Sequence, residues 1–410
     1  MNIQEKNHAL LVSYFQQGCK SNCIQKLGVE IEHFIIRRDT KESVPYYGER
    51  GVEAILTELS GSYPEQILDN GALLGLANND YSLTLEPAGQ LEISIVPKES
   101  IRVIYKIYKS FLRQILPVLE RFGYELVTLG YHPKSRVRDL PLIPKLRYAY
   151  MDKYFQDSGT LGANMMRGTA STQISVDYCC EEDFILKYRA AFRLMPAIKL
   201  LTDNTPVFEG APYPKYLART HIWNNVDAPR CGIFPGVFDD GFGFFAYADY
   251  LMRLPLIFVP TSDGPLYTGK HTAAQIWSDR EFTRQDILHI LSMTFLDVRL
   301  KNYVEIRGGD SMPLEYVLAY LAFIKGLFFR RSVLREFNER FPVSEADIRE
   351  SEASLMEHGW NGTIYKRSAP DFLREILSLA EEHLEEEERI YLLPFWRLAK
   401  DCKTLAKEYI

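Results

Sequence analysis

The chain has 410 residues, of which 46% are hydrophobic and 25% charged, with a formal net charge of −6. That length accommodates one large domain or two ordinary ones with a full core, and the mild acidity excludes nucleic acid as a general electrostatic partner. No membrane span is expected either, since the best apolar stretch, Tyr316 to Phe329, is short and carries Lys325.

Residues 4–18 read as an amphipathic helix closed by Gly18, with too many acids and amides for a signal peptide. Leu27 to Arg37 reads as a strand and Val52 to Leu59 as a helix. Two further strands, Tyr81–Glu86 and Gln90–Ile95, are joined by the turn Pro87-Ala88-Gly89. Ser100 is placed to cap a long helix that Gly123 ends, and Tyr124–Gly130 follows as a strand. Residues 131–163 and 205–245 are loop-rich and suited to a lid. Between them Ala170–Tyr178 alternates as a strand, and Glu181–Leu201 is a helix that Pro196 should bend or interrupt. From Pro313 onward the pattern is helical, with an acidic run Glu385–Glu388 expected to be a solvated face. Strands interleaved with long helices imply an α+β protein on one antiparallel or mixed sheet. A single domain spans 1–410, with a sheet-containing core (1–312) and a helical C-terminal part (313–410). The six cysteines (19, 23, 179, 180, 231 and 402) have irregular spacings that predict reduced thiols in a cytoplasmic protein.

The informative residues are acids on strands. Glu30 and Glu32 sit two apart, Glu86 and Glu92 flank one turn, and Glu305 lies in Val304-Glu305-Ile306-Arg307. Residues i and i+2 share a strand face, so these carboxylates are set to converge. Among Val29, Ile31 and Ile93 such acids repel and lose hydration, unless a hard cation lies between them. His33 projects from the opposite face and reads as structural. Arg307 shares the face of Glu305, and Arg219 and Arg230 flank Trp223. Acids that hold Mg²⁺ beside arginines suit ATP-dependent phosphoryl transfer, with a metal-dependent hydrolase as the next reading. Two nucleotide-binding near-matches fail. Gly264–His271 has His271 where a P-loop needs Ser or Thr, and Gly241–Ala246 lacks a βαβ setting.

Five segments in order resemble the glutamate–cysteine ligase family, plant-type and proteobacterial branch. They are Tyr14–Lys20 with Gly28–Phe34, Leu85–Ser94 (similar to the family's EPGGQxELS), Met165–Asp177 (similar to MMxxTAxxQxxxD), the Arg219–Trp223–Asp227–Arg230 spacing, and Val304–Asp310. Two departures stand out: the family's Glu-His-Glu-Lys-Phe is here Glu30-Ile31-Glu32-His33-Phe34, and Ala88 replaces a glycine. The resemblance implies a glutamine-synthetase-like curved antiparallel sheet forming a funnel with surrounding helices. It implies that ATP, as co-substrate, phosphorylates the γ-carboxylate of L-glutamate before the amine of L-cysteine attacks, the first step of glutathione biosynthesis. It further implies that Glu30, Glu32, Glu86, Glu92 and Glu305 hold two or three Mg²⁺ ions (Mn²⁺ as an alternative), with Gln173 joining them or contacting substrate. Arg307 would neutralise the transferring phosphoryl group, Arg219 and Arg230 would take the glutamate α-carboxylate or the acyl phosphate, and Trp223 would line the pocket. The protein would act as a monomer or homodimer. A ligase of the same fold using another amine, and a non-catalytic metabolite-binding relative, are the alternatives.

Overall fold

A computed structural model of the protein describes residues 1–20, 24–261 and 264–408. Cys23 therefore lies outside the described residues. Nine strands form one sheet: β1 (Leu27–Arg37), β2 (Glu65–Asp69), β3 (Ala72–Ala77), β4 (Tyr81–Leu85), β5 (Leu91–Lys98), β6 (Tyr124–Val127), β7 (Ser171–Val176), β8 (Val298–Leu300) and β9 (Val304–Asp310). Their order is β8-β9-β7-β1-β5-β4-β3-β2, with β6 on the far end of β1, and every pairing is antiparallel.

The period-two alternation along these strands sorts side chains onto two unlike faces. Leu27, Val29, Ile31, Leu91, Ile93, Ile174, Val176, Val304 and Ile306 are buried on one. After α1 (Ile3–Gln17) and α2 (Val52–Ser60), the helices that pack on that face are α3 (Ile101–Phe122), α5 (Glu181–Leu201) and Leu314–Phe328. On α3, Ile104, Ile107, Tyr108, Phe111, Ile115, Val118 and Leu119 recur at helical spacing and form the buried stripe. His33 belongs to this face: it is fully buried, with Nδ1 3.0 Å from the Leu91 carbonyl and Nε2 2.7 Å from the Tyr108 hydroxyl. One hydrophobic cluster runs from Leu11 to Leu405, so the C-terminal helices share the core of the sheet.

Several local expectations change. Residues 65–77 form a β2–β3 hairpin whose turn carries Asn70 (φ 49°) and Gly71 (φ 83°), the pair of left-handed residues that a tight hairpin needs. Helix α5 runs unbroken through Pro196, because its burial on nearly all sides outweighs the roughly 3 kcal/mol that an internal proline costs. The segment 131–163 contains a helix, α4 (Leu146–Phe155), and the Tyr124–Gly130 strand stops at Val127. In the acidic run, Glu388 is buried rather than solvated: it accepts from Ile101 N at 3.2 Å and pairs with Lys325 at 2.7 Å, tying the C-terminal region to the start of α3. The near P-loop forms a strand, Leu266–Thr272, with no phosphate-binding turn. Among the described residues no helix is long and apolar enough to cross a membrane.

Candidate active site

The second face of the sheet is polar, and the register brings its acids together. Glu32 stands opposite Glu92, Glu30 opposite Gln173, Thr84 opposite Glu92, and Glu305 opposite Ser175. The β4–β5 turn places Glu86 beside them. Gly89 there has φ 86°, a conformation that favours glycine, and Glu86 N donates to the Gln90 carbonyl at 2.9 Å. Ala88, where the family's motif has glycine, is buried without strain and its N–H donates to Gln90 Oε1 at 2.8 Å. Gln90 Nε2 in turn donates to the carbonyls of Met166 (3.2 Å) and Thr169 (3.1 Å). This fixes a single π-helical turn, Asn164–Gly168, that presents Met165 and Met166 to the acids.

A cavity of about 360 Å³ opens over this face. Its floor is Glu30, Glu32, Glu86, Glu92, Ser171 and Gln173, and its walls include Arg219, Arg299, Arg307, Lys145, Arg147 and Trp223. Burial, then the charges of Glu92 and Glu305, pushes Glu30 up to about 8; burial, then Glu92 and Glu32, does the same for Glu86. Burial also raises Glu92 and Glu32, the latter against hydrogen bonds from Ser171. Glu30 and Glu86 have no hydrogen-bonding or ion-pairing side chain among the described residues, so each, when ionised, carries a half-buried charge that only more distant cations offset. That chemistry fits a cation. No three acidic, histidine or cysteine side chains among the described residues stand close enough to complete an ion cage alone, so an ion here needs further oxygens, such as those of a phosphate.

The expectations for Glu305 and Arg230 are corrected. Glu305 is fully buried, and its Oε2 accepts from Arg299 Nε at 2.6 Å and Arg307 Nη1 at 3.2 Å, while Oε1 takes Lys301 Nζ at 2.8 Å. Burial would raise its pKa, but those three cations hold it well below the usual carboxylate range. Glu305 is already compensated by these three cations, so it calls for an added ion less than Glu30 or Glu86 does. Arg230 is 0% exposed and lies outside the cavity. It donates to Asp227 Oδ2 (2.6 Å), the Met293 carbonyl (2.9 Å), Tyr154 Oη (3.1 Å) and the Pro255 carbonyl (3.0 Å), which makes it a structural tie between loops.

The other predicted residues reach the cavity. Arg307 donates to Gln173 Oε1, and Gln173 Nε2 lies 3.2 Å from Glu32 Oε1. Arg219, on α6 (Ala218–Trp223), bonds the Gly309 carbonyl at 2.8 Å and Asp310 at 3.2 Å, leaving its buried Nε without a hydrogen-bond partner among the described residues. Trp223, one turn on, lines the wall. Sequence reading missed Arg299 and Lys301, though Val298-Arg299-Leu300-Lys301 alternates immediately before Tyr303-Val304-Glu305, the pattern of a hairpin with charges on one side. It also missed Lys145, Arg147, Met165 and Met166 as cavity residues.

A second cavity of about 300 Å³ lies along the same face toward the other end. It is lined by Lys26, Val29, Asn78, Tyr81, Ser82, Ile95, Val96, Pro97 and Tyr303, and it shares Glu30 with the first.

Comparisons agree with this arrangement. The sequence profile described as glutamate-cysteine ligase family 2 (GCS2) matches residues 26–386. The chloroplastic glutamate–cysteine ligase of Brassica juncea is 31% identical over 92% of this chain and 74% of its own length. That of Arabidopsis thaliana is 33% identical over 78% of this chain and 62% of its own length. Among solved structures, a glutamate–cysteine ligase from Francisella tularensis in complex with AMP aligns with TM-score 0.53 and 10% identity, over 92% of this chain and 82% of that one. A bifunctional glutathione synthetase from Pasteurella multocida aligns with TM-score 0.50 and 13% identity, over 99% of this chain and 51% of that one. These two likenesses establish the shared sheet-and-helix fold. With the profile spanning most of the chain and its acidic motifs gathered on one sheet face, the protein belongs to the glutamate–cysteine ligase family 2.

Proposed function

We propose that the chain is an ATP-dependent carboxylate–amine ligase that phosphorylates the γ-carboxylate of L-glutamate and joins it to the amine of L-cysteine, giving γ-glutamylcysteine, ADP and phosphate. The observation that carries this reading is the cavity itself: four glutamates that form no ion pair among the described residues make the floor, and Arg219, Arg299 and Arg307 reach its walls. A carboxylate is a poor electrophile, and conversion to an acyl phosphate supplies a leaving group. The phosphoryl group then needs fixed positive charge around it and water kept away.

Glu30, Glu32, Glu86 and Glu92 would hold two or three Mg²⁺ ions, or Mn²⁺, which would supply positive charge to offset that of the phosphates. Glu305 keeps Arg299 and Arg307 aimed at the transferring group, since each is bonded to its carboxylate. Arg219, with its unpartnered buried Nε, suits the α-carboxylate of glutamate. Tyr148, Met151, Met165, Met166, Trp223 and Phe295 supply an apolar wall that limits water. The second cavity suits a purine and ribose, because its apolar edges are interleaved with Asn78, Ser82 and backbone. A nucleotide there runs its phosphates toward Glu30 and the first cavity. A reducing compartment such as the cytoplasm completes this reading, on the irregular spacing of the six cysteines.

The test is mass spectrometry of products from glutamate, ATP and a mixture of amino acids, with hydroxylamine as a trap for the activated carboxylate. γ-Glutamylcysteine and a glutamyl hydroxamate are expected. A hydroxamate with a different amino-acid product reassigns the acceptor, and the absence of both defeats the ligase reading.

A further inference from the structure

Two cations on the cavity wall feel the charge of Glu86 but form no ion pair at contact distance among the described residues. Lys145 is half-buried, its Nζ 5.1 Å from the centre of the Tyr148 ring, and it makes no ion pair among the described residues. Among the described residues Arg147 donates to neutral oxygens, Ser292 Oγ and the Ser292 carbonyl, both at 3.0 Å. Burial lowers the pKa of both groups. Both belong to the start of α4, where Lys145 is the N-cap and no acid stands in the first turn, so the positive end of the helix adds to their field. Met151, Met165 and Met166 line the same cavity as a soft, polarisable surface. The site thus offers an anion-binding pair next to a patch suited to a small uncharged side chain.

We infer that Lys145 and Arg147 bind the α-carboxylate of the acceptor and make the enzyme select an amino acid over a simple amine. The inference rests on the ligase reading above and names the part of the acceptor that this site recognises. An anchored carboxylate directs the amine into the cavity toward the acids and the acyl phosphate, and lays a thiol-sized side chain on the methionines. Orientation of this kind raises the effective concentration of the attacking group without any new chemistry.

The discriminating pair is cysteine and cysteamine, which share amine and thiol and differ only in the carboxylate. The full-length enzyme with ATP and glutamate is expected to favour cysteine in kcat/KM by roughly tenfold or more, the range of a hydrogen bond to a charged group. Lys145→Met should erase most of that preference through a higher KM for cysteine with kcat less affected, Arg147→Met should act in the same direction, and Lys145→Arg should keep it. The Lys145 side chain makes no hydrogen bond or ion pair among the described residues, so its variant remains informative if Arg147→Met fails to fold. An unchanged preference in Lys145→Met overturns the inference, as does a rise in the KM for ATP in place of that for cysteine, which would assign the cations to phosphate. Wild-type enzyme that uses both amines equally also overturns it while leaving the ligase reading intact. Wild-type enzyme that forms neither product ends both.

Discussion

Glu32 and Glu92 face each other directly across the β1–β5 pairing, and neither forms an ion pair among the described residues. Glu32 is held by Ser171 N and Oγ, both at 2.7 Å, and Glu92 by Thr84 Oγ1 at 2.9 Å and Ser94 Oγ at 3.0 Å. Neutral donors fix the two carboxylates without cancelling their charge. Arg299, Lys301 and Arg307 are instead committed to Glu305. The site thus keeps a cationic end and an acidic end apart, as a reaction between a polyphosphate and a carboxylate requires.

Ligand-free stability should fall as pH rises, because Glu30 and Glu86 are pushed up to about 8 in the folded state. Between the ordinary carboxylate value near 4.5 and about 8, the unfolded chain has released protons that the folded chain retains, so folding weakens with rising pH in that window. Glu30→Gln should raise the stability of the ligand-free protein at pH 8 by about 1–3 kcal/mol and abolish ligation. Urea unfolding in the presence of a chelator measures the first effect. A Glu30→Gln variant no more stable than wild type at pH 8 would remove the basis for an ion at this position.

Histidine produces the opposite limb. Burial pushes His33 down to about 4, so the folded protein stays unprotonated there while the unfolded chain takes up a proton near 6.5. The stability contributed by neutral His33 is present above 6.5 and lost as pH falls toward 4, at up to about 1.4 kcal/mol per pH unit. His33→Gln should be less stable at neutral pH, because the bonds to Leu91 and Tyr108 are disturbed, yet show a shallower acid limb. Unfolding midpoints for both proteins at pH 5 and 7 test this.

Arg219 and Arg230 should behave differently when each is replaced by lysine. Arg230→Lys loses a fully buried four-partner tie, so about 3 kcal/mol or more of stability should go, with KM for glutamate little changed in the folded fraction. Arg219→Lys should raise KM for glutamate at least tenfold and shift the melting temperature less. Equal effects on glutamate KM would restore Arg230 to the binding set.

Glu388→Gln should cost about 1–3 kcal/mol and leave kcat unchanged, since the residue joins Lys325 to the start of α3 on the side of the sheet remote from the acids. Thermal unfolding alongside steady-state rates distinguishes this from a role in the site.

Much of the architecture was legible because strands with one apolar face announce themselves: β1 matches its expected bounds from Leu27 to Arg37, and α3 begins after Ser100 and ends at Gly123 in a left-handed conformation. The acidic set was legible for the same reason, since Glu30, Glu32 and Glu92 interrupt apolar runs. Arg230 misled because spacing along a chain says nothing about burial. Its pairing with Asp227 three residues earlier is a local bond that satisfies the very group expected to meet substrate. Lys145 and Arg147 were hidden in a proline-rich stretch without periodicity, and only the fold carries them to the acids.

Glu30 borders both cavities. A ligand that brings positive charge to this carboxylate from one side removes a penalty that a ligand arriving on the other side would otherwise meet. The two substrates are therefore thermodynamically linked through one side chain: nucleotide with its ions should tighten glutamate, and glutamate should tighten nucleotide by the same factor. Replacing that single carboxylate should uncouple them.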